Sequence, residues 1–331
     1  MEVMKGIYRI AVPLPQIALK EVDIYVVEGE KGNILIDTGW NTPEAFNAIK
    51  DGLKIDGFEL RDITQILITH FHPDHFGFAG KLKQLTNATV AMGELEAPLI
   101  EGRYANPENL LNDITAFLRS HGIPDSMLSN YSQASMPLRQ FVIPTRPDIL
   151  LKDGDTISMP PFELKVLLTP GHSPGHLCFY EPNRKMLFSG DMLLPEISTN
   201  ISYHIQSGDN PLGDFINSLK LLQEIDINFV YPAHGPVFSG TKARIEALLY
   251  HHRKREQEII QVAHNNLMSG YQIASQITWA PGDIPVSFEK LSTWDKRLAL
   301  METLAHLQYL VHNDKARKTE ENGITLYFVE G

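Results

Sequence analysis

The stretch Thr69-His70-Phe71-His72-Pro73-Asp74-His75 decides how this chain is read. Three of its 13 histidines fall within six residues here, directly after the strand-like run Gln65–Thr69. Neutral imidazole and carboxylate are the ligands that borderline divalent ions such as Zn prefer. On a loop leaving a strand, His70 and His72 can point the same way and grip one ion, while Asp74 and His75 turn toward a second. Pro73 restricts the backbone between the two pairs. Four ligands leave two ions under-coordinated, so others must come from elsewhere in the chain.

Three further segments supply candidates. Thr169-Pro170-Gly171-His172-Ser173-Pro174-Gly175-His176 follows the strand-like Phe162–Leu168, and Ser189-Gly190-Asp191 follows Met186–Phe188. Tyr231-Pro232-Ala233-His234-Gly235 follows Phe229–Val230. Each sets His172, Asp191 or His234 just past a strand end, where open α/β sheets build their sites. His176 opens the next strand and reads as a supporting or structural histidine. Cys178, two residues on, reads as core. His251 and His252, beside Arg253, Lys254 and Arg255, read as a solvated helix face.

Around these segments the first 240 residues alternate short strands with helices. Ile7–Val12, Asp23–Val27, Asn33–Asp37, Thr89–Met92 and Leu177–Tyr180 are rich in β-branched and aromatic residues. Thr42–Ile55 and Phe215–Ile225 carry helix periodicity. Residues 93–145 differ: helix-like patterns such as Leu110–Ser120 are broken by Pro107, Gly122-Ile123-Pro124 and Pro137. They read as a helical insertion, either a lid or substrate wall or a layer covering a sheet. Lys242–Ser269 and Lys296–Ala316 read as amphipathic helices, followed by a hairpin with Gly323 at its turn and Ile324–Val329 as a strand. The expected division is a catalytic domain over 1–240 and a mainly helical, winged-helix-like domain over 241–331.

These segments resemble the metallo-β-lactamase superfamily, in order and over nearly all of residues 7–240. The resemblance implies a four-layer αβ/βα sandwich with two metals at one edge. It implies that His70, His72 and His172 hold one ion, that Asp74, His75 and His234 hold the other, and that Asp191 bridges them. Asp37, in Ile36-Asp37-Thr38-Gly39, matches the family's first motif, usually a supporting residue; a turn-capping Asp is the other reading. The C-terminal module resembles the extension of proteins similar to β-lactamase-like protein 2. True zinc β-lactamases typically lack the bridging Asp, so the resemblance is closer to the glyoxalase II, lactonase and ribonuclease branches. Zn is the default metal, with Fe and Mn as alternatives.

Two ions about 3.5–4 Å apart share a water and lower its pKa toward 7, so a metal-bridging hydroxide is the expected nucleophile. Asp74 is the expected catalytic carboxylate, orienting that hydroxide. No Gly-x-Ser-x-Gly elbow is present. Thioester hydrolysis, of acyl-CoA or glutathione type, is the first expectation, because a thiolate leaves without a general acid. Phe117, Leu118, Met127, Tyr131 and Met136 could wall an apolar acyl group, although no glutathione-binding basic set maps onto the C-terminal part. A lactonase is the second, with Tyr203 supporting a substrate carbonyl. An RNA-processing phosphodiesterase is the third.

Composition bounds the rest. The net charge is −11, and residues 241–331 hold 11 Lys+Arg against 11 Asp+Glu, so the whole acidic excess lies in 1–240. That disfavours nucleic acid and favours a small-molecule substrate as partner. No apolar run approaches the roughly 20 residues that span a bilayer, and Met1–Leu14 lacks a signal-peptide core. The single cysteine cannot form an internal disulfide. These features fit a cytoplasmic protein, and a homodimer is compatible with them.

Overall fold

The structure, a computed structural model, describes residues 1–14, 19–105, 107–280 and 285–329. Two sheets lie face to face. The first has seven strands in sequential order: β1 (Glu2–Met4), β2 (Ile7–Pro13), β3 (Glu21–Gly29), β4 (Gly32–Ile36), β5 (Ile63–Ile68), β6 (Thr89–Gly93) and β7 (Ile149–Leu151). The second is built from β8 (Thr156–Met159), β9 (Phe162–Leu168), β10 (Leu177–Glu181), β11 (Met186–Gly190) and β12 (Phe229–Pro232), ordered β12-β11-β10-β9-β8. β4, β5, β6 and β7 run parallel, as do β11 and β12. β1, β7 and β8 were not anticipated from sequence; each is only three or four residues long, too short to show alternation.

Period-two patterning separates the layers. In β3, Tyr25 and Val27 face the second sheet and pack with Leu67, Val166, Phe179, Phe188 and Tyr231. Val22, Ile24 and Val26 face the other way, onto α1 (Pro43–Ile55) through Ala45, Ile49 and Leu53. Thr42 caps α1, its side chain accepting from the Ala45 N–H, and Pro43 opens it. A short α2 (Pro73–Phe76) carries Asp74 and His75, and α3 (Ala79–Thr86) follows on the same outer layer.

The insertion between β6 and β7 contains α4 (Ala97–Ile100), α5 (Pro107–Ser120) and α6 (Asp125–Gln133). The outer face of the second sheet is covered by α7 (Pro211–Glu224) and α8 (Thr241–Ala263), where Phe215, Leu219, Leu222, Ile245 and Leu248 meet Leu187 and Val230. Two sheets with helices outside both are the four layers expected.

Beyond α8 come β13 (Met268–Ser269), α9 (Gly270–Ala274), a short pair β14 (Thr278–Trp279) and β15 (Val286–Ser287), α10 (Thr293–His312), and the hairpin β16 (Ala316–Glu321) with β17 (Ile324–Val329). β13, β17 and β16 form a three-stranded sheet. The two long helices end earlier than periodicity suggests. Asn265 and Asp314 adopt left-handed backbone just past α8 and α10, stopping each helix and turning the chain into a strand. α10 also differs in character. From Arg297 to Leu310 it is buried on most sides, because α6, α7, α8 and α9 pack around it. Thr303, His306 and Gln308, which look like a polar face in the sequence, are all inside.

That packing decides what the insertion does here. Leu110, Ile114 and Leu118 of α5, with Leu128 and Tyr131 of α6, join Leu300, Leu304, Leu307, Leu310 and Tyr327 in one apolar core. His252, expected on a solvated face, is buried against Phe215 and His306 instead, because α8 packs on both α7 and α10. Among the described residues, no helix is long and apolar enough to cross a membrane.

Candidate metal centre

The seven side chains singled out in the sequence come together at one edge of the sandwich. All leave the C-terminal ends of strands: the His70–His75 loop follows β5, His172 follows β9, Asp191 follows β11 and His234 follows β12. Backbone hydrogen bonds lock these ends to one another. Leu177 N donates to Thr69 O (2.9 Å), and Ala233 N donates to Gly190 O (3.1 Å). Gly190 has a left-handed φ of 50°, and a Cβ there would lie 2.7 Å from His176 Nε2 and 2.9 Å from Thr69 Cβ. The turn presenting Asp191 is therefore closed to any larger residue.

The donors fall into two groups. His70 Nε2, His72 Nδ1 and His172 Nε2 form a triangle with edges of 3.0, 3.2 and 2.9 Å. In the second group, His234 Nε2 lies 3.4 Å and His75 Nε2 3.6 Å from Asp74 Oδ2. Asp191 spans both. Its Oδ1 is 3.6 Å from His75 Nε2 and 3.5 Å from His234 Nε2, and its Oδ2 is 3.5 Å from His172 Nε2.

The outer nitrogens explain the aim of the inner ones. His172 Nδ1–H donates to Asn200 O (3.0 Å), His234 Nδ1–H to Glu21 O (2.9 Å) and His75 Nδ1–H to Asp37 Oδ2 (2.8 Å). His70 Nδ1–H donates to Thr69 Oγ1 (3.0 Å), whose own hydroxyl donates to Asp37 Oδ2 (2.8 Å). Each of these four rings thus turns an Nε2 lone pair inward, the arrangement that fixes metal-binding histidines. Asp37 anchors one histidine of each group, directly or through Thr69. It is buried, with a left-handed φ of 60°, a conformation Asp tolerates better than most residues. Of its two sequence readings the supporting one matches this placement. His176 also supports: its Nε2 accepts from Asp191 N (3.2 Å) and its Nδ1 meets Thr169 Oγ1 (3.0 Å).

Electrostatics separate the groups. Burial, then the neighbouring His75, holds the His70 pKa well below the ordinary imidazole value; burial and His172 do the same for His72. In the second group burial works against the charged form, but Asp191, Asp74 and Asp37 outweigh it and raise His75 well above its ordinary value. Burial likewise opposes charge on His234, and Asp191 and Asp74 lift it to about 9. Three inward lone pairs 2.9–3.2 Å apart repel one another unless a cation lies among them. Such a triangle is close to what bonds of roughly 2.0–2.1 Å impose on a first-row divalent ion. Buried His75 Nε2, His234 Nε2 and Asp191 Oδ1 have no hydrogen-bond partner among the described residues. Buried polar atoms of this kind are normally satisfied, so orphans converging on one point fit a bound ion. The donor set fits divalent metal.

Two placements were not legible in the sequence. Glu96, fully buried at the start of the insertion, accepts from Phe71 N (2.9 Å) and Gly175 N (2.7 Å), clipping the His70–His75 loop to the His172 loop. Burial pushes its carboxyl up to about 7. Nothing in Gly93-Glu94-Leu95-Glu96 distinguishes it from Glu94, which lies exposed. The other is Tyr203, whose half-buried ring packs on Phe117 and His121 and whose N–H donates to Met301 O.

Comparison with known proteins agrees with this geometry. The family profile described as "Metallo-beta-lactamase superfamily" matches residues 19–234. The Bacillus subtilis protein named "Probable metallo-hydrolase YqjP" is 27% identical over 331 residues, covering 98% of each chain. The crystal structure of a metallo-beta-lactamase family protein from Thermus thermophilus superposes with a TM-score of 0.83 at 28% identity, covering 99% of this chain and 100% of that one. An Aspergillus fumigatus protein named "Atrochrysone carboxyl ACP thioesterase" is 24% identical over 247 residues, which is 75% of this chain and 45% of that protein.

Proposed function

Because this chain belongs to the metallo-beta-lactamase superfamily, we propose that it is a metal-dependent hydrolase acting on thioesters of the acyl-CoA or glutathione type. The observation that carries the reading is Asp191, whose two oxygens each face a different ligand group. His70, His72 and His172 would hold one divalent ion and Asp74, His75 and His234 the other. Bound there, the ions would supply Lewis acidity and lower the pKa of water toward neutrality.

The protein's own groups do the rest. Asp74 is partly exposed, with 17% of its side chain accessible, and one oxygen lies 3.4 Å from His234 Nε2. It is placed to take up a proton from the attacking water and hold it near His234. The leaving thiolate needs no proton from the enzyme, and none of the seven groups has to act as a general acid. No protein nucleophile competes for the role: Cys178 is buried and burial pushes its thiol up to about 12. Support for a thioester comes also from the thioesterase name of one relative, which this chain matches over less than half of that protein's length. Tyr203, the residue the lactonase alternative requires, is half-buried, with its ring against Phe117 and His121.

The test is metal analysis of the purified protein together with a panel of thioester, lactone, phosphodiester and β-lactam substrates. Two equivalents of divalent metal and preferential thioester turnover, lost on chelation and restored by metal, are expected. Full turnover in His72→Ala, or a faster lactone or phosphodiester, would overturn the reading.

A further inference from the structure

A pair of guanidiniums flanks the 199–207 loop, beside the nitrogen triangle. Arg103, in the insertion after α4, donates from Nη1 to Gln206 Oε1 (2.9 Å). Its Cζ lies 4.8 Å over the Phe71 ring, and the Phe71 and His72 ring centroids are 4.8 Å apart. Arg297 sits in the second turn of α10 and is 8% exposed. Its Nη1 donates to Tyr131 O (3.0 Å), Ser132 O (3.3 Å) and Ser135 Oγ (3.2 Å), capping the end of α6. Its Nε and Nη2 make no hydrogen bond among the described residues.

The loop brings the two together. Tyr203 N donates to Met301 O (3.1 Å), one helical turn beyond Arg297 and on the same face of α10. Three residues later Gln206 holds Arg103, and His204 lies between. The start of the same loop braces the metal centre: Asn200 O accepts from His172, and the Thr199 hydroxyl donates to Asp191 O. A group bound between the guanidiniums is therefore next to the nitrogen triangle.

Neither guanidinium has a carboxylate within 4.0 Å among the described residues, in a chain whose net charge is −11. Arg297 is buried and Arg103 half-buried, with the buried Glu96 carboxylate within electrostatic reach of Arg103; charge buried without a close partner is costly. The two charges also feel each other: burial, then Arg103, pulls Arg297 down to about 10. Burial and then Arg103 and Arg297 hold His204 near 3, so it stays neutral and does not add a third charge at neutral pH. An oxyanion seated between the guanidiniums relieves both costs, and the planar fork of Arg suits carboxylate and phosphate.

We propose that Arg103 and Arg297, with Gln206 beside them, form a recognition site for an oxyanion carried by the substrate. This rests on the thioesterase reading for the substrate's identity, but the site itself does not. The oxyanion could be a carboxylate at the far end of the acyl chain or a phosphate of the thiol leaving group, and a two-way substrate set separates them. One arm compares acyl thioesters ending in carboxylate with those ending in carboxamide. The other compares CoA with pantetheine thioesters, which lack phosphate.

In one arm the wild-type kcat/KM ratio of charged to neutral substrate should be about tenfold or more, the worth of one charge-assisted hydrogen bond. Arg103→Gln should erase that ratio, and Arg103→Lys should keep part of it. Arg297→Gln could unfold the cap of α6, so Arg103 decides the matter. Calorimetric binding of unreactive thioether analogues, charged and neutral, to the metal-loaded protein gives a readout independent of turnover. If no thioester is cleaved but the charged thioether still binds preferentially through Arg103, the substrate assignment fails and the oxyanion site stands. Equal binding of charged and neutral analogues, or a ratio unmoved by Arg103→Gln, overturns the site.

Discussion

The metal centre and the core shared by the insertion and the C-terminal helices are both buried, yet burial acts on them in opposite senses. In the shared core, Leu300, Leu304, Leu307 and Leu310 are fully buried, and removing each from water stabilises the fold by roughly 1.5–3 kcal/mol. In the centre, five histidines and two carboxylates lose hydration, and several inner atoms find no partner among the described residues. The core is built to stabilise. The centre is held in place by what surrounds it, by Asp37, Glu96, His176 and backbone carbonyls, and its cost is recovered when a cation binds.

The comparison breaks most visibly at Asp191. Asp191→Ala should lower kcat/KM at least about a thousandfold, since both ligand groups lose their shared carboxylate. Metal content by elemental analysis should fall below two equivalents, while circular dichroism stays native. A stable, two-metal, active variant would refute the shared-carboxylate arrangement. Leu304→Ala should do the reverse. Gly270 packs directly on Leu304, so the cavity cannot close easily, and a loss of about 2–5 kcal/mol is expected in urea unfolding. Metal content should not change.

Asp37→Asn sharpens the contrast from the supporting side. It removes the carboxylate that anchors His75 directly and His70 through Thr69. Affinity for divalent metal, measured against a chelator, should weaken about 10–100-fold. Equal affinity would mean the outer anchor is dispensable. The smallest effect belongs to the shared core and depends on pH. His121 is buried, its Nε2 is unpartnered, and burial, outweighing the Ser120 contact, lowers its pKa from 6.5 to about 4. The folded form therefore favours neutral His121. That stability is intact above pH 6.5 and is lost as pH falls toward 4, because only the unfolded chain takes up the proton there. His121→Phe should match or exceed wild type at pH 7.5 and gain about 1 kcal/mol more at pH 5.5. A gain that does not grow on acidification would contradict this.

Legibility differed between the two regions for a physical reason. The centre needs particular elements, nitrogen and carboxylate oxygen, at strand ends, and few residue types supply them. His70, His72, Asp74, His75, His172, Asp191 and His234 could therefore be picked out one by one, and Asp37 and His176 as supports. The shared core needs only volume and apolarity, which many residues supply. Its helix α10 looked amphipathic because Thr303, His306 and Gln308 are polar, and only their neighbours reveal that they are inside. Glu96, Arg103 and Arg297 gave no signal, since an isolated charged residue in a helical stretch ordinarily faces solvent.

By itself, then, the order of residues determined which atoms could bind metal, which strand ends carry them, and that two sheets with outer helices would present them. Those are local matters: ligand chemistry, alternation and turns act over a few residues. Only the tertiary structure decided that the insertion packs with the C-terminal helices, that Glu96 ties two loops together, and that Arg103 and Arg297 flank the 199–207 loop. Glu96 alone joins positions 25 and 79 residues away, and no adjacent residue constrains those bonds. They follow from how apolar faces close over one another, which the chain settles only as a whole.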